Sequence, residues 1–255
     1  MSAPPPLHFK RDRSLTPTRL HFPCLSSEYD YEGTSLNDPS GVTSTWHPSF
    51  SNAGGDSGGE CGVPTSRRFR MPSNGNLVFW YSFSVGPLHM IMVSSEHDPS
   101  PGSPMGDFLA QDLAAVDRGV TPWVVVGIHR PLVETENYPG DYEMAAGLRK
   151  ILEPLFLQAG VDVVAAGHYH SFQRSCRMAD LECVADPTKP GMVHYTTGAA
   201  GAGLDGAGLI PSDYIEKTIE GKWGYSVLTA NATHLTLDFH QNTDDAVADT
   251  VTLSK

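Results

Sequence analysis

The sequence predicts an α/β fold, with a core sheet of buried strands joined by helices and a closing antiparallel hairpin. Three observations carry this expectation. Two short apolar runs, "WVVVGIH" (Trp123–His129) and "VDVVAAGH" (Val161–His168), are dense in valine, as strands covered on both faces are. Segments with helical spacing of apolar residues stand before and between them. The stretch "WGYSVLTANATHLTLDFHQ" (Trp223–Gln241) alternates apolar and polar residues, the period of strands with one wet face.

Residues 1–27 are rich in proline and arginine and read as a disordered leader, unmatched to the remainder of the chain. They hold no apolar run of the kind a signal peptide needs. Residues 28–76 form a long Gly/Ser/Pro-rich segment around "SNAGGDSGGECG", expected to wrap a functional face. Aromatic and β-branched runs at Asn76–Gly86 and Leu88–Glu96, split by Gly86-Pro87, predict a hairpin. Phe108, Leu109, Leu113 and Val116 have helical spacing within Pro104–Arg118. A second helix is expected over Tyr142–Gly160, with Gly160 as its C-cap. "GMVHYTTGAAGAG" (Gly191–Gly203) reads as a strand running into a glycine loop.

The formal net charge of -12 disfavours nucleic acid as a partner, and none is expected, because phosphate backbones bind basic surfaces. An anionic substrate would need a cation in the site to reverse the local field. No stretch is long and apolar enough to predict a membrane span. Cys176 and Cys183 flank "RMADLE" and suit a small disulfide loop, while Asn231-Ala232-Thr233 is a glycosylation sequon. Both lean towards an oxidising, secretory setting.

The two apolar strands end in His129 and in His168-Tyr169-His170. Ligands of α/β sheets gather at the carboxyl ends of strands, so all three imidazoles are expected at one edge. Imidazole is the commonest transition-metal ligand, and Gly167 lets the chain turn sharply before the pair. From spacing alone, a polar turn and a metal site stand level.

"TPWVVVGIHRPL" (Thr121–Leu132), "AAGHYHSFQRSC" (Ala165–Cys176) and "GMVHYTTGAAGAGL" (Gly191–Leu204) together resemble the C-terminal half of a purple acid phosphatase. "GGECGVPTSRRFRMP" (Gly58–Pro72) and "SSEHDPSPGS" (Ser94–Ser103) are similar to that family's middle region, so residues 28–255 would be a partial catalytic domain. The resemblance implies an incomplete four-layer α/β/β/α metallophosphoesterase sandwich. It implies an acid phosphatase that hydrolyses small phosphate esters with metal-activated hydroxide, secreted or vacuolar. It also implies two cations, Fe(III) plus Fe(II), Zn(II) or Mn(II). His129 falls on the family's VxxH block; His168 and His170 fall on its GHxH block. His129 and His168 then match ligands of the divalent ion, and His170 a ligand of the iron.

The family's GDxG, GDxxY and GNH(D/E) blocks have no counterpart upstream, where Ser26 and Ser27 stand at the GNH position. Asp56 in "GDSG" fits GDxG by letter only, because no strand precedes it. Asp107 and Asp141 also follow glycines, and read as loop or helix-start carboxylates. Without a bridging carboxylate, two dications about 3.5 Å apart repel by roughly 19 kcal/mol at an effective dielectric of about 20. At most one divalent ion is therefore expected, on His129 and His168 with or without His170. Phosphomonoester hydrolysis is expected to be impaired; the alternative is a non-catalytic or single-metal remnant of such an enzyme. His89, His97, His194, His234 and His240 read as structural, and Arg174 and Arg177 as loop anchors.

Overall fold

A computed structural model describes residues 18–20, 63–72, 74–133, 135–204 and 208–255. Valine-rich and aromatic runs form strands β2 (Tyr81–Val85), β3 (Leu88–Val93), β4 (Trp123–Ile128), β5 (Val163–Ala166) and β8 (Met192–Thr197). β2 and β3 are the expected hairpin, antiparallel across Gly86, whose φ of 54° suits glycine. β3, β4, β5 and β8 then run parallel in that order. Every residue of β3, β4 and β5 is buried. That matches the unbroken apolar runs, since both faces of these strands are covered.

Helices α2 (Pro104–Ala115) and α3 (Pro139–Ala159) make the crossovers of this parallel sheet. Ser103 caps α2 by accepting a hydrogen bond from the Gly106 amide at 3.0 Å, and Pro104 opens its first turn. α3 starts at Pro139, ahead of the expected Tyr142, and ends at Gly160 in the left-handed region with φ 66°. A short helix, α1 (Val63–Arg68), precedes β2.

The alternation of side chains along each strand divides two cores. On β4, Val124 and Val126 pack with Leu109, Leu148, Leu152 and Phe156 of the helices. Trp123 and Val125 face the other way, onto Leu228, Leu235, Leu237 and Phe239 of a second sheet. That sheet has the order β1 (Thr18–Leu20), β10 (Gly224–Ala230), β11 (His234–Gln241) and β12 (Val247–Ser254). Three layers of the expected sandwich are thus described: helices, large sheet, small sheet.

The structure corrects several expectations. Thr18–Leu20, read as part of a disordered leader, pair antiparallel with β10. β6 (Phe172–Ala179) continues the chain directly after the GHxH turn, pairing with β8 and with β9 (Ile215–Ile219). Periodicity does not announce this strand, because Gln173, Arg174 and Ser175 are polar, yet all three are buried. Arg174 holds its place through Asp249 of β12 and Glu216 of β9, and these carboxylates raise its pKa. Arg174 therefore ties the two sheets together and does more than anchor a loop. Asp56, Ser26, Ser27 and the wrapping role of the glycine-rich segment lie outside the described residues.

β7 (Glu182–Cys183) closes a tight hairpin on β6, and Cys176 and Cys183 are joined there as a disulfide. The two cysteines are seven residues apart, so chain-entropy arguments assign the bond about 2–3 kcal/mol. Urea unfolding of the full chain with and without reductant should show a loss of about that size. A loss well below 1 kcal/mol would mean that the strand ladder alone holds this hairpin.

Candidate metal centre

Because β3, β4 and β5 are parallel neighbours, their carboxyl ends share one edge of the large sheet. β3 delivers Ser94, Ser95, Glu96 and His97 there; β4 delivers His129 and Arg130; β5 delivers Gly167 through His170. The turn after β5 is tightly built. The Gly167 amide donates to the His129 carbonyl at 3.0 Å, which locks the ends of β4 and β5 together. His168 sits in the left-handed region with φ 68°, uncommon for a residue with a Cβ. The Gly198 amide donates to the Ser171 carbonyl at 3.2 Å, and a Cβ on Gly198 would lie 1.9 Å from the Tyr169 carbonyl oxygen. The turn is therefore pressed against a backbone position that only glycine can fill.

Beneath the turn, the buried Glu136 carboxylate accepts from Ser171 Oγ, and from Gln173 Nε2 at 3.1 Å. Thr135 Oγ1 donates to the Gln173 side-chain carbonyl. This network orders the polar residues that follow the two histidines.

His129 and His168 come together: their ring centroids are 5.2 Å apart and the rings meet edge to face at 78°. His168 Nε2 donates to Asp141 Oδ2 at 3.1 Å. Tyr169 Oη donates to the same oxygen at 3.2 Å, and Arg130 Nη1 lies 3.6 Å from Asp141 Oδ1. Arg130 Nε donates to Glu96 Oε1 at 2.8 Å, and Ser95 Oγ donates to that oxygen at 2.8 Å. A chain of alternating charge, Glu96–Arg130–Asp141, thus ends on the His168 imidazole. Arg130 and Glu96 are almost fully enclosed, with side chains 6% and 4% exposed. His170 is held elsewhere, its Nδ1 donating to the Gly203 carbonyl in the glycine loop after β8.

Among the described residues, no group of three or more His, Cys, Asp or Glu side chains is arranged to hold a metal ion. The described donors therefore do not by themselves make up a metal site, for one ion or for two. One feature of the histidines is nonetheless that of metal-binding imidazoles. Metal-binding histidines normally give their second ring N–H to a carboxylate or a backbone carbonyl. His168 does so to Asp141, and His170 to Gly203. Asp141 is the residue that sequence reasoning passed over. Its signal, a carboxylate after Pro139-Gly140 at a helix start, is what any first helical turn favours.

The remaining histidines have structural surroundings. His97 packs between the rings of Phe79 and Trp80 and shares a hydrogen bond with Ser94 Oγ at 2.9 Å; burial lowers its pKa to about 3. His194 pairs with Val164 in register and faces the helix layer, where burial, assisted by the Arg149 charge, lowers its pKa to about 3. His89 bridges Ser84 and Asp112 between the β2–β3 hairpin and α2. His234 and His240 lie on β11.

The family model described as iron/zinc purple acid phosphatase-like protein C matches residues 191–250. "Probable inactive purple acid phosphatase 9" of Arabidopsis thaliana is 32% identical over 252 residues, covering 89% of this chain and 37% of that protein. "Nucleotide pyrophosphatase/phosphodiesterase" of Hordeum vulgare is 31% identical over 212 residues, covering 78% of this chain and 57% of that protein. The solved structure of purple acid phosphatase PPD1 from yellow lupin (Lupinus luteus) seeds superposes with a TM-score of 0.75 at 26% identity. It covers 90% of this chain and 40% of that one. The chain thus spans well under two thirds of the length of the relatives it matches. No helix among the described residues is long and apolar enough to cross a membrane.

Proposed function

The chain belongs to the purple acid phosphatase family, and on that footing we propose that its strand edge carries the divalent-ion half of a phosphoester-hydrolysing centre. His129 and His168 are its ligands. The observation that carries this reading is the approach of the two rings to 5.2 Å at the ends of adjacent parallel strands. A divalent ion bound there would supply Lewis acidity and a water of lowered pKa. The chain's own part is to hold the imidazoles. The Gly167–His129 backbone bond sets the spacing of the two strand ends, and Asp141 and Gly203 engage the second nitrogens of His168 and His170. Arg130 shields the carboxylates of Glu96 and Asp141 and so lowers the repulsion that an incoming phosphate ester would meet.

By this reading the chain alone takes one divalent ion and turns over phosphate monoesters weakly or not at all. The word "inactive" in the name of the Arabidopsis relative agrees with this, and the barley relative's name widens the substrate class to phosphodiesters and pyrophosphates. A secretory or vacuolar setting is part of the proposal, supported by the disulfide and by the exposed sequon at Asn231. We place a glycan on Asn231, whose side-chain oxygen accepts from the Thr233 amide at 2.8 Å in an exposed turn.

Calorimetric titration of the full chain with Zn(II) or Mn(II) tests the reading. One ion per chain is expected, and His129→Ala or His168→Ala should each weaken binding by more than the roughly 10–100-fold that losing an outer partner of a ligand costs. Hydrolysis of p-nitrophenyl phosphate at acidic pH should stay near background. Absence of metal binding in the unaltered chain would reject the half-site; rapid hydrolysis would reject the single-ion limit.

A further inference from the structure

We infer that Ser84 is an activated nucleophile, which takes the acyl group of small neutral carboxylic esters with His89 as its base and Asp112 holding that base. The three residues stand on β2, β3 and α2, at the β2 edge of the large sheet. His89 is the second residue of β3, at the opposite end of the strand from the candidate metal centre. The inference is therefore independent of the metal reading.

Ser84 Oγ lies 2.9 Å from His89 Nδ1, and His89 Nε2 lies 2.8 Å from Asp112 Oδ2. An ionised carboxylate can only accept, so in the neutral ring Nε2 carries the proton and Nδ1 presents its lone pair to the serine. Ser84 Oγ–H then donates to Nδ1. Nucleophile, base and orienting acid in this order activate serine for acyl transfer. The array is held from behind: Asp112 Oδ1 accepts from Ser82 Oγ at 2.6 Å, and Ser82 Oγ accepts from Asn74 Nδ2 at 2.8 Å. The side chains of His89 and Asp112 are 11% and 15% exposed, whereas Ser84 faces solvent. The base is thus sheltered and the nucleophile reachable.

Ser84 and His89 are cross-strand partners, and β2 is an edge strand, so an ester can approach from the open side. Ser82 shows where the backbone of this edge points. Its N–H donates to Asn74 Oδ1 at 3.2 Å, and its carbonyl accepts from Asn74 Nδ2 at 3.0 Å. In an antiparallel pair such outward groups recur at every second residue, so Ser84 turns its own N–H out of the edge beside its hydroxyl. That amide is the donor for the oxyanion. Asn74 also lines a groove of about 400 Å³ with Trp80, Phe108 and Gln111. The groove begins about 7 Å from Ser84, two residues along the strand, and gives room for the larger end of an ester. The net charge of -12 favours neutral esters over anionic ones. In the reaction, Ser84 Oγ bonds to the carbonyl carbon as its proton passes to Nδ1. The bond from that carbon to the leaving oxygen then breaks, and the proton departs with the alcohol. Water, giving a proton to the same Nδ1, releases the acid and restores the serine.

The competing role for these residues is a clasp that joins the β2–β3 hairpin to α2. p-Nitrophenyl acetate separates the two, given to the full chain in mildly alkaline buffer with EDTA. A nucleophilic Ser84 expects a burst of about one p-nitrophenolate per chain and an acetyl group on the peptide that carries Ser84. Ser84→Ala should abolish both, and His89→Gln should slow acylation by about 100-fold or more. Asp112→Asn should slow it as well, because the tautomer of the ring is no longer fixed. Ser84 is exposed, so its alanine variant carries the test if His89→Gln does not fold by circular dichroism. Acetylation confined to lysines in the unaltered chain would overturn the inference and leave the clasp. A folded His89→Gln variant acylated at the unaltered rate would overturn it too. Because metal is chelated throughout, neither result bears on the half-site reading.

Discussion

Arg130→Ala is expected to lower the unfolding free energy by about 3–5 kcal/mol, the cost of stranding a buried charge. Arg130 and Glu96 are 6% and 4% exposed, so water cannot replace the lost guanidinium. Ser95 Oγ satisfies one oxygen of Glu96 but brings no positive charge. Asp141 loses its cationic neighbour as well. The pair itself is a weaker source of stability than this figure suggests, because desolvating both ions offsets much of their attraction. The double variant Arg130→Met, Glu96→Gln should therefore recover most of the loss, since no net charge remains enclosed. Urea unfolding of the single and double variants measures both. A single-variant loss under about 1 kcal/mol, or a double variant no better than the single, would contradict an enclosed pair. High salt should leave the loss largely intact, because screening acts weakly on buried charges.

Acid should destabilise the chain through His97 and His194 before most carboxylates titrate. Burial lowers both pKa values from 6.5 to about 3. The folded chain thus binds fewer protons than the unfolded chain below pH 6.5, so stability falls as pH falls. The penalty is absent above about pH 6.5, grows through the acidic range, and saturates near pH 3. At pH 5 each histidine costs about 2 kcal/mol, an order-of-magnitude figure from the two pKa values. His194→Leu places an apolar side chain among the helix-facing residues beside Val164. It should flatten the dependence between pH 6.5 and 5 by up to about 1.4 kcal/mol per pH unit, the value of one proton. His97→Gln should act similarly. Unfolding measured at half-unit steps from pH 7.5 to 5 checks the slope, and an unaltered slope in both variants would refute the assignment. The direction matters for function, since any assay at acidic pH meets a chain of reduced stability.

Much of the fold was legible because the signals were periodic and local. The valine runs of β4 and β5 allowed one reading only, strands with both faces buried. The apolar spacing in Pro104–Arg118 and the glycine at 160 located α2 and the end of α3 within a few residues. The motif positions of His129 and His168 also led to neighbouring strand ends. β6 was not legible. Gln173 and Arg174 are polar residues in a buried strand, and their partners Glu136, Glu216 and Asp249 lie far along the chain. Nothing local in "SFQRSC" announces those partners.

Asp141 shows the same boundary at the site. Its sequence context is that of an ordinary first-turn carboxylate, and its partner His168 is 27 residues away. By itself the sequence pointed to the valine-rich strands, to the helices α2 and α3 and to the imidazoles at the motif positions, because these follow from periodicity and local spacing. The tertiary structure alone decided which nitrogen of His168 is engaged, that His170 turns to the Gly203 carbonyl, and that Arg130 is enclosed between two acids. Those outcomes depend on distances between segments remote in the chain, and hydrogen bonds and ion pairs are decided over a few ångströms.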